Sequence, residues 1–231
     1  MIKIENVVLP SPKQWQAVIR GMRNPMNSWD KSDSELHKEV ELDLTPSFYL
    51  GNNDISLMRK LAKAGTDHRK FMRMIPVYLD ITAPLYWWKE ADTYKVGTVC
   101  NSCSTMHKIH AKELTLDDFS TEHLNRRTIE TLESTIDDLN RYRDLYLHGG
   151  NDYISDSDDK DYKPKDKDIW WQIIQLLPSS YNQKRTYMLN YEVLANMYKS
   201  RKNHKLDEWV EFCEWIKTLP YSELITGEFD V

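Results

Sequence analysis

The stretch from Leu177 to Arg201, LPSSYNQKRTYMLNYEVLANMYKSR, constrains this chain more than any other. Asn190 stands twelve positions after Pro178, and Arg201 eleven positions further on. Leu189, Val193, Met197 and Ser200 follow one another at steps of three and four, which predicts one helix over about 183–202. On such a helix Asn190 and Arg201 lie about three turns apart and near one side. An amide and a guanidinium fork facing the same way suit a phosphate or carboxylate ligand. A surface arginine and a helix-packing asparagine are the alternative reading of the same residues.

Nothing in the remaining chain divides it. No Gly/Ser/Pro-rich linker interrupts the 231 residues, so a single domain is expected over 1–231, with an acidic loop insert at about 151–168. With 40% hydrophobic residues, 8 Trp and 13 Tyr, the chain can bury a sizeable core. No apolar run has the length needed to cross a bilayer, so no membrane partner is expected. The first residues, MIKIENVVLPSPKQW, lack a basic stretch followed by an apolar run and a cleavage site. Three cysteines argue against a disulfide framework. A cytoplasmic protein is therefore expected. The formal net charge of −5 gives no general basic surface for nucleic acid, though a local basic pocket for one nucleotide remains compatible with it.

Strands and helices alternate in a mixed order. Ile2 to Leu9 reads as a strand stopped by Pro10 and Pro12, and Pro12 to Arg20 as a short helix. Arg23 to Ser47 reads as loop. Asn53 or Asp54 is expected to cap a helix through Ile55, Met58, Leu61 and Ala62 that Gly65 ends. Ile75, Val77, Leu79 and Ile81 alternate as in a half-buried strand, with Pro76 pointing to an edge or a bulge. Pro84 suits the first turn of a helix through LYWWKEADTYK. Ser120 or Thr121 is expected to open the longest helix, carried by Ile129, Leu132, Ile136, Leu139 and Leu145 and stopped at Gly149-Gly150. Trp170 to Leu176 reads as a short helix, and Leu206 to Leu219 as the last one. In the insert, Asp156, Asp158 and Asp161 lack the central glycine and closing glutamate of a calcium loop, so a solvated loop is expected.

The block from Ala83 to His110 concentrates Lys89, Glu90, Asp92, Lys95, hydroxyls, two cysteines and two histidines. That density suits a ligand site. Cys100, Cys103, His107 and His110 have the spacing C-x2-C-x3-H-x2-H and would share one face of a helix. Four ligands on one short helix do not surround a zinc ion tetrahedrally, and no second ligand pair stands at finger distance. Zinc is not expected, nor a thiol enzyme, since nothing local demands an activated Cys-His pair. Trp87, Trp88, Trp170 and Trp171 read either as core or as interface anchors.

Leu177, Pro178, Tyr181, Asn190, Leu194 and Arg201 together resemble the last motif block of the flavin-dependent thymidylate synthases. Laid from Ala83-Pro84, the middle block is similar to that family's signature in its order of chemical types. Lys89-Glu90 then stand at an Arg-Gln, Tyr94-Lys95 at a His-Arg, Thr98 at the first Ser, Asn101 or Ser102 near an Asn-Glu, Ser104 at the second Ser and His107 at a Tyr. Lys63-Ala64-Gly65 and His68-x-x-Phe71 resemble the first block. The resemblance implies an α+β fold with an antiparallel sheet and flanking and long helices. It also implies FAD as a possible cofactor and a dUMP-like pyrimidine nucleotide as partner. A catalytic member would carry out one-carbon transfer at C5 of that nucleotide, and the site would form in a homotetramer. By the same resemblance Arg201 would take the phosphate and Ser104 would act beside it as catalytic groups, while Asn190, Lys95, Thr98 and His68 would meet the cofactor.

The departures fall on arginines. Ile174, Glu192, Asp207 and Glu211 stand at or near positions where the family's motifs carry Arg or Gln. Each lost arginine removes a charge-assisted hydrogen bond of roughly 1.5–3 kcal/mol. Either other cations (Lys89, Lys95, Lys184, Arg185, Arg201) take over, or the ligand differs, or the fold serves as a non-catalytic interaction module.

Overall fold

A computed structural model describes residues 2–37, 47–149 and 166–229. In chain order the elements are β1 (Lys3–Val8), α1 (Pro12–Arg23), β2 (Glu35–His37), β3 (Ser47–Tyr49), α2 (Asn52–Lys63), β4 (Pro76–Pro84), α3 (Leu85–Ala91), β5 (Val99–Ser102), α4 (Thr105–Lys108), α5 (Arg126–His148), α6 (Asp166–Leu176), β6 (Asn182–Asn190), α7 (Tyr191–Arg201), α8 (Asp207–Lys217) and α9 (Glu223–Thr226). This is an α+β chain with an antiparallel sheet, as expected. The four-stranded sheet has the order β1-β4-β6-β5. A separate pair, β2 with β3, is antiparallel with Leu36 opposite Phe48.

Local chemistry accounts for the helix ends. Ser11 caps α1 through a reciprocal pair: its hydroxyl accepts from the Gln14 backbone N–H, and the Gln14 side chain accepts from the Ser11 N–H. Gly51, rather than Asn53 or Asp54, is the N-cap of α2, and Asp54 is buried in the first turn. The longest helix, α5, begins at Arg126 behind Asn125, whose side chain accepts from the Thr128 N–H. It therefore opens later than the Ser120–Thr121 expectation: Phe119 pairs with Tyr181 in an isolated antiparallel bridge, and the first side-chain cap is that of Asn125. Gly149 ends α5 with φ +71°. Pro76 is the first residue of β4, which lies between β1 and β6 rather than at an edge; the first position of a strand is one where proline is tolerated. A further short helix, α9, follows α8, the helix expected to be last.

The helix expected over 183–202 is a strand followed by a helix. Gln183, Tyr187 and Leu189 are buried at the two-residue period of β6, and the three-to-four step holds only from Tyr191 onward. Asn190 is the hinge: its backbone is extended (φ −139°, ψ 164°), and its side-chain oxygen accepts the Val193 N–H at 3.0 Å.

The described residues fall into two compact units, each discontinuous in sequence. Unit 1 comprises Thr82–Lys89 and Ser102–Arg185. Its core joins Ile109, Leu114, Phe119, Leu132, Ile136, Leu139 and Ile173, from α5, α6 and the 3-10 turns. Trp87 and Trp88 are fully buried, the core reading of that pair, whereas Trp171 is exposed. Unit 2 comprises Ile2–Ile81, Glu90–Asn101 and Thr186–Val231, and buries Val18, Met58, Met72, Leu194, Trp209 and Phe212 among others. Of the acidic insert, residues 151–165, with Asp156, Asp158 and Asp161, lie outside the described residues, and Asp166 opens α6. Among the described residues no helix is long and apolar enough to cross a membrane.

Candidate functional site

The polar groups of unit 2 converge on the last residue of α7. Arg201 donates from Nη1 to Glu90 Oε2 at 2.6 Å and from Nε to the Tyr94 hydroxyl at 3.0 Å. Its guanidinium also lies 4.9 Å from the Trp209 ring centroid. The Trp209 indole N–H donates to the same Glu90 oxygen at 2.8 Å. His204 Nδ1 accepts the Leu206 N–H at 3.2 Å, while its Nε2 lies 3.0 Å from Arg201 Nη1 and 3.4 Å from Glu90 Oε2. One carboxylate oxygen thus meets a guanidinium, an indole N–H and an imidazole edge.

This cluster is not core. The Arg201 side chain is 18% exposed and that of Glu90 34% exposed. Nη2 of Arg201 has no hydrogen-bond partner among the described residues, so the fork keeps one nitrogen for an incoming oxygen. The arrangement can bind an anion through Arg201, with the Glu90 charge opposing it and the Trp209 and Tyr94 rings beside it.

The remaining sequence-derived candidates separate. Asn190 is buried, and both ends of its amide have a backbone partner: besides capping α7 it donates from Nδ2 to the Gly97 carbonyl at 3.1 Å. Gly97 has φ +73°, and a Cβ there would lie 2.8 Å from Asn190 Nδ2, so glycine is required on both counts. Asn190 and Arg201 are therefore not two faces of one helix; Asn190 precedes the helix that Arg201 ends. Thr98 donates its hydroxyl to the Tyr94 carbonyl at 2.9 Å. Lys95 and His68 are exposed, and their side chains make no hydrogen bond or ion pair among the described residues. Ser104 lies in unit 1, where its hydroxyl accepts the His107 N–H and caps the short α4.

Cys100, Cys103, His107 and His110 do not share a helix face. Cys100 is in β5, Cys103 follows it, His107 is in α4 and His110 in a 3-10 turn. Among the described residues no group of three or more His, Cys, Asp or Glu side chains is placed to hold a metal ion.

Two of the departures from the family pattern have structural partners. Glu192 is buried and paired with Arg69, at 2.8 Å from Nε and 3.2 Å from Nη2. Arg69 Nη2 also donates to Asn196 Oδ1 at 3.3 Å. Glu211 Oε2 accepts the Ile2 N–H at 3.4 Å. Residue types alone did not point to His204 and Trp209. The signal available was the polar Asn203-His204 pair after the helix end, followed three residues after Leu206 by an aromatic on the buried face of α8.

These elements, in this order, define the α+β fold of the flavin-dependent thymidylate synthases. Thymidylate synthase X from Helicobacter pylori, in a crystal structure with FAD and dUMP, superposes with a TM-score of 0.61 at 14% identity, covering 99% of this chain and 98% of that one. A second structure of the Helicobacter pylori enzyme, also complexed with FAD and dUMP, gives 0.60 at 15% identity, over 98% and 97% of the two chains. The UMP/dUMP methylase PolB from Streptomyces cacaoi, bound with 5-Br dUMP, gives 0.61 at 14% identity, over 98% and 95%. No family model matches the sequence, and no curated protein matches it.

Proposed function

We propose that the protein binds a pyrimidine nucleotide of the dUMP type, with the phosphate taken by Arg201. The observation that carries this reading is the partly exposed cluster at the end of α7, where Arg201 keeps Nη2 open beside Trp209 and Tyr94. The fold supports it, since the similar chains in crystal structures are described as holding dUMP or 5-Br dUMP. Lys95, exposed and one residue after Tyr94, supplies a second cation on the same segment. By its motif position Ser104 is the hydroxyl assigned to the nucleotide, in a homotetramer.

FAD is present in two of those structures, but the residues here do not fit a dinucleotide held through the same motif. Asn190 is buried, with its amide turned to the α7 cap and to Gly97. Glu192 sets a buried carboxylate where the family's motif carries an arginine, and Thr98 is already bonded to Tyr94. No step is therefore derived through a flavin. The same Glu192–Arg69 pair favours a second reading, a non-catalytic interaction protein on this fold.

Calorimetric titration with dUMP, alongside a visible spectrum during titration with oxidised FAD, separates these readings. Saturable dUMP binding that Arg201→Ala weakens, with no flavin band, is the expected result. A chain that binds no dUMP would leave the interaction reading, and a bound flavin band would overturn the exclusion of FAD.

A further inference from the structure

Unit 2 holds a cavity of about 290 Å³ lined by α2, α7 and the chain from Leu224 onward. Its floor is apolar, built from Ala62, Leu224 and Ile225, all buried. Its rim carries Lys63 from the last turn of α2, Lys199 from the last turn of α7, and Lys202 at the α7 C-cap. Lys63 Nζ sits 4.5 Å from the Phe229 ring centroid, and Lys202 Nζ 5.3 Å from that of Tyr198. None of the three lysines forms an ion pair among the described residues. Arg69 also lines the cavity, but its charge is met by Glu192. The Tyr198 hydroxyl donates to Glu228 at 2.9 Å.

Lysines in a last helical turn complement the helix dipole, and that accounts for each one on its own helix. It does not account for two helices delivering them to one hollow whose floor is hydrocarbon. Ammonium groups resting on rings, and in no ion pair with a carboxylate of the described residues, are a receptor for an anion, the nearby Glu228 being held by the Tyr198 hydroxyl. An apolar floor beneath them selects a ligand with an uncharged body. The volume, at the small end of ligand pockets, limits that body to about one ring.

We propose that this cavity binds a small organic phosphate, its phosphate on the lysine rim and its ring or hydrocarbon part on the floor beside Phe229. The site is separate from the Arg201 cluster and does not depend on the nucleotide reading. Phenyl phosphate is the probe, titrated calorimetrically into the full chain at low salt. Saturable binding is expected, weakened at least about tenfold in the Lys199→Ala/Lys202→Ala double variant through loss of two charge-assisted contacts. Arg201→Ala should leave it unchanged, and Lys199→Arg/Lys202→Arg should retain it. Inorganic phosphate and benzyl alcohol, each carrying half of the ligand, should bind more weakly. Both lysines are exposed on the helix surface, so thermal melting of the variants should match the parent. Absence of saturable binding, an affinity indifferent to the lysines, or an affinity lost in Arg201→Ala alone would overturn the proposal.

Discussion

Glu90 Oε2 lies 2.6 Å from Arg201 Nη1, and the same oxygen accepts the Trp209 indole N–H at 2.8 Å. The carboxylate partly neutralises the arginine proposed to take the phosphate. An anion reaching Arg201 must therefore work against a charge already in place.

Glu90→Gln removes that charge and keeps an oxygen for Arg201 and Trp209. Relief of one like charge within a few ångströms at a partly exposed site should tighten dUMP binding roughly tenfold. Calorimetry on the two proteins tests this, with Arg201→Ala as the opposite control. An unchanged affinity would show that the nucleotide does not meet Arg201.

The Glu192–Arg69 pair should dominate the stability of the start of α7. Glu192→Ala leaves a guanidinium without its main partner, and a loss of roughly 3 kcal/mol is expected. Urea unfolding measures it. Replacing both residues by apolar ones of similar size (Arg69→Met with Glu192→Leu) should recover most of the loss, because the desolvation of both charges disappears together. A double variant as unstable as the single one would mean that the fold needs the ion pair itself.

Asp54 predicts the acid limb of stability. Burial raises its pKa, but hydrogen bonds from Ser34 and Ser32 and the Arg23 guanidinium outweigh burial and hold the pKa below its ordinary value of 3.8. A depressed carboxylate contributes stability that is present above its unfolded pKa and lost as pH falls through the folded one. Unfolding free energy should therefore be level near neutrality and decline below about pH 4. Asp54→Asn should be less stable at neutral pH and flatter in acid. Equal acid slopes for the two proteins would contradict the assignment.

The cysteines should react unequally. Cys103 is exposed, Cys100 half-buried and Cys213 buried. Burial, with the Glu214 charge adding to it, pushes the Cys213 thiol up to about 11. At pH 8 a thiol reagent followed by mass spectrometry should label Cys103 first and Cys213 only in denaturant. Rapid labelling of Cys213 in the native protein would show that α8 opens.

The sequence alone determined what depends on local period and on end chemistry. The alternation of Ile75, Val77, Leu79 and Ile81 marked β4, the stripe from Ile129 to Leu145 marked α5, and Pro12 marked the start of α1. Arg201 could be named as a candidate because its spacing to Leu177-Pro178 resembles that of the family's last motif. Only the tertiary structure decided the rest. Leu189, Val193 and Met197 fit a helix by spacing, yet residues up to Asn190 form a strand, because β6 fills an inner place in the sheet and its backbone groups find ladder partners there. Tertiary packing also decided which charge meets which. Arg69 is 123 positions from Glu192, and Glu90 is 111 from Arg201. Pairings at that separation leave no periodic trace in a sequence, since their energy depends on burial and distance, which the folded chain alone sets.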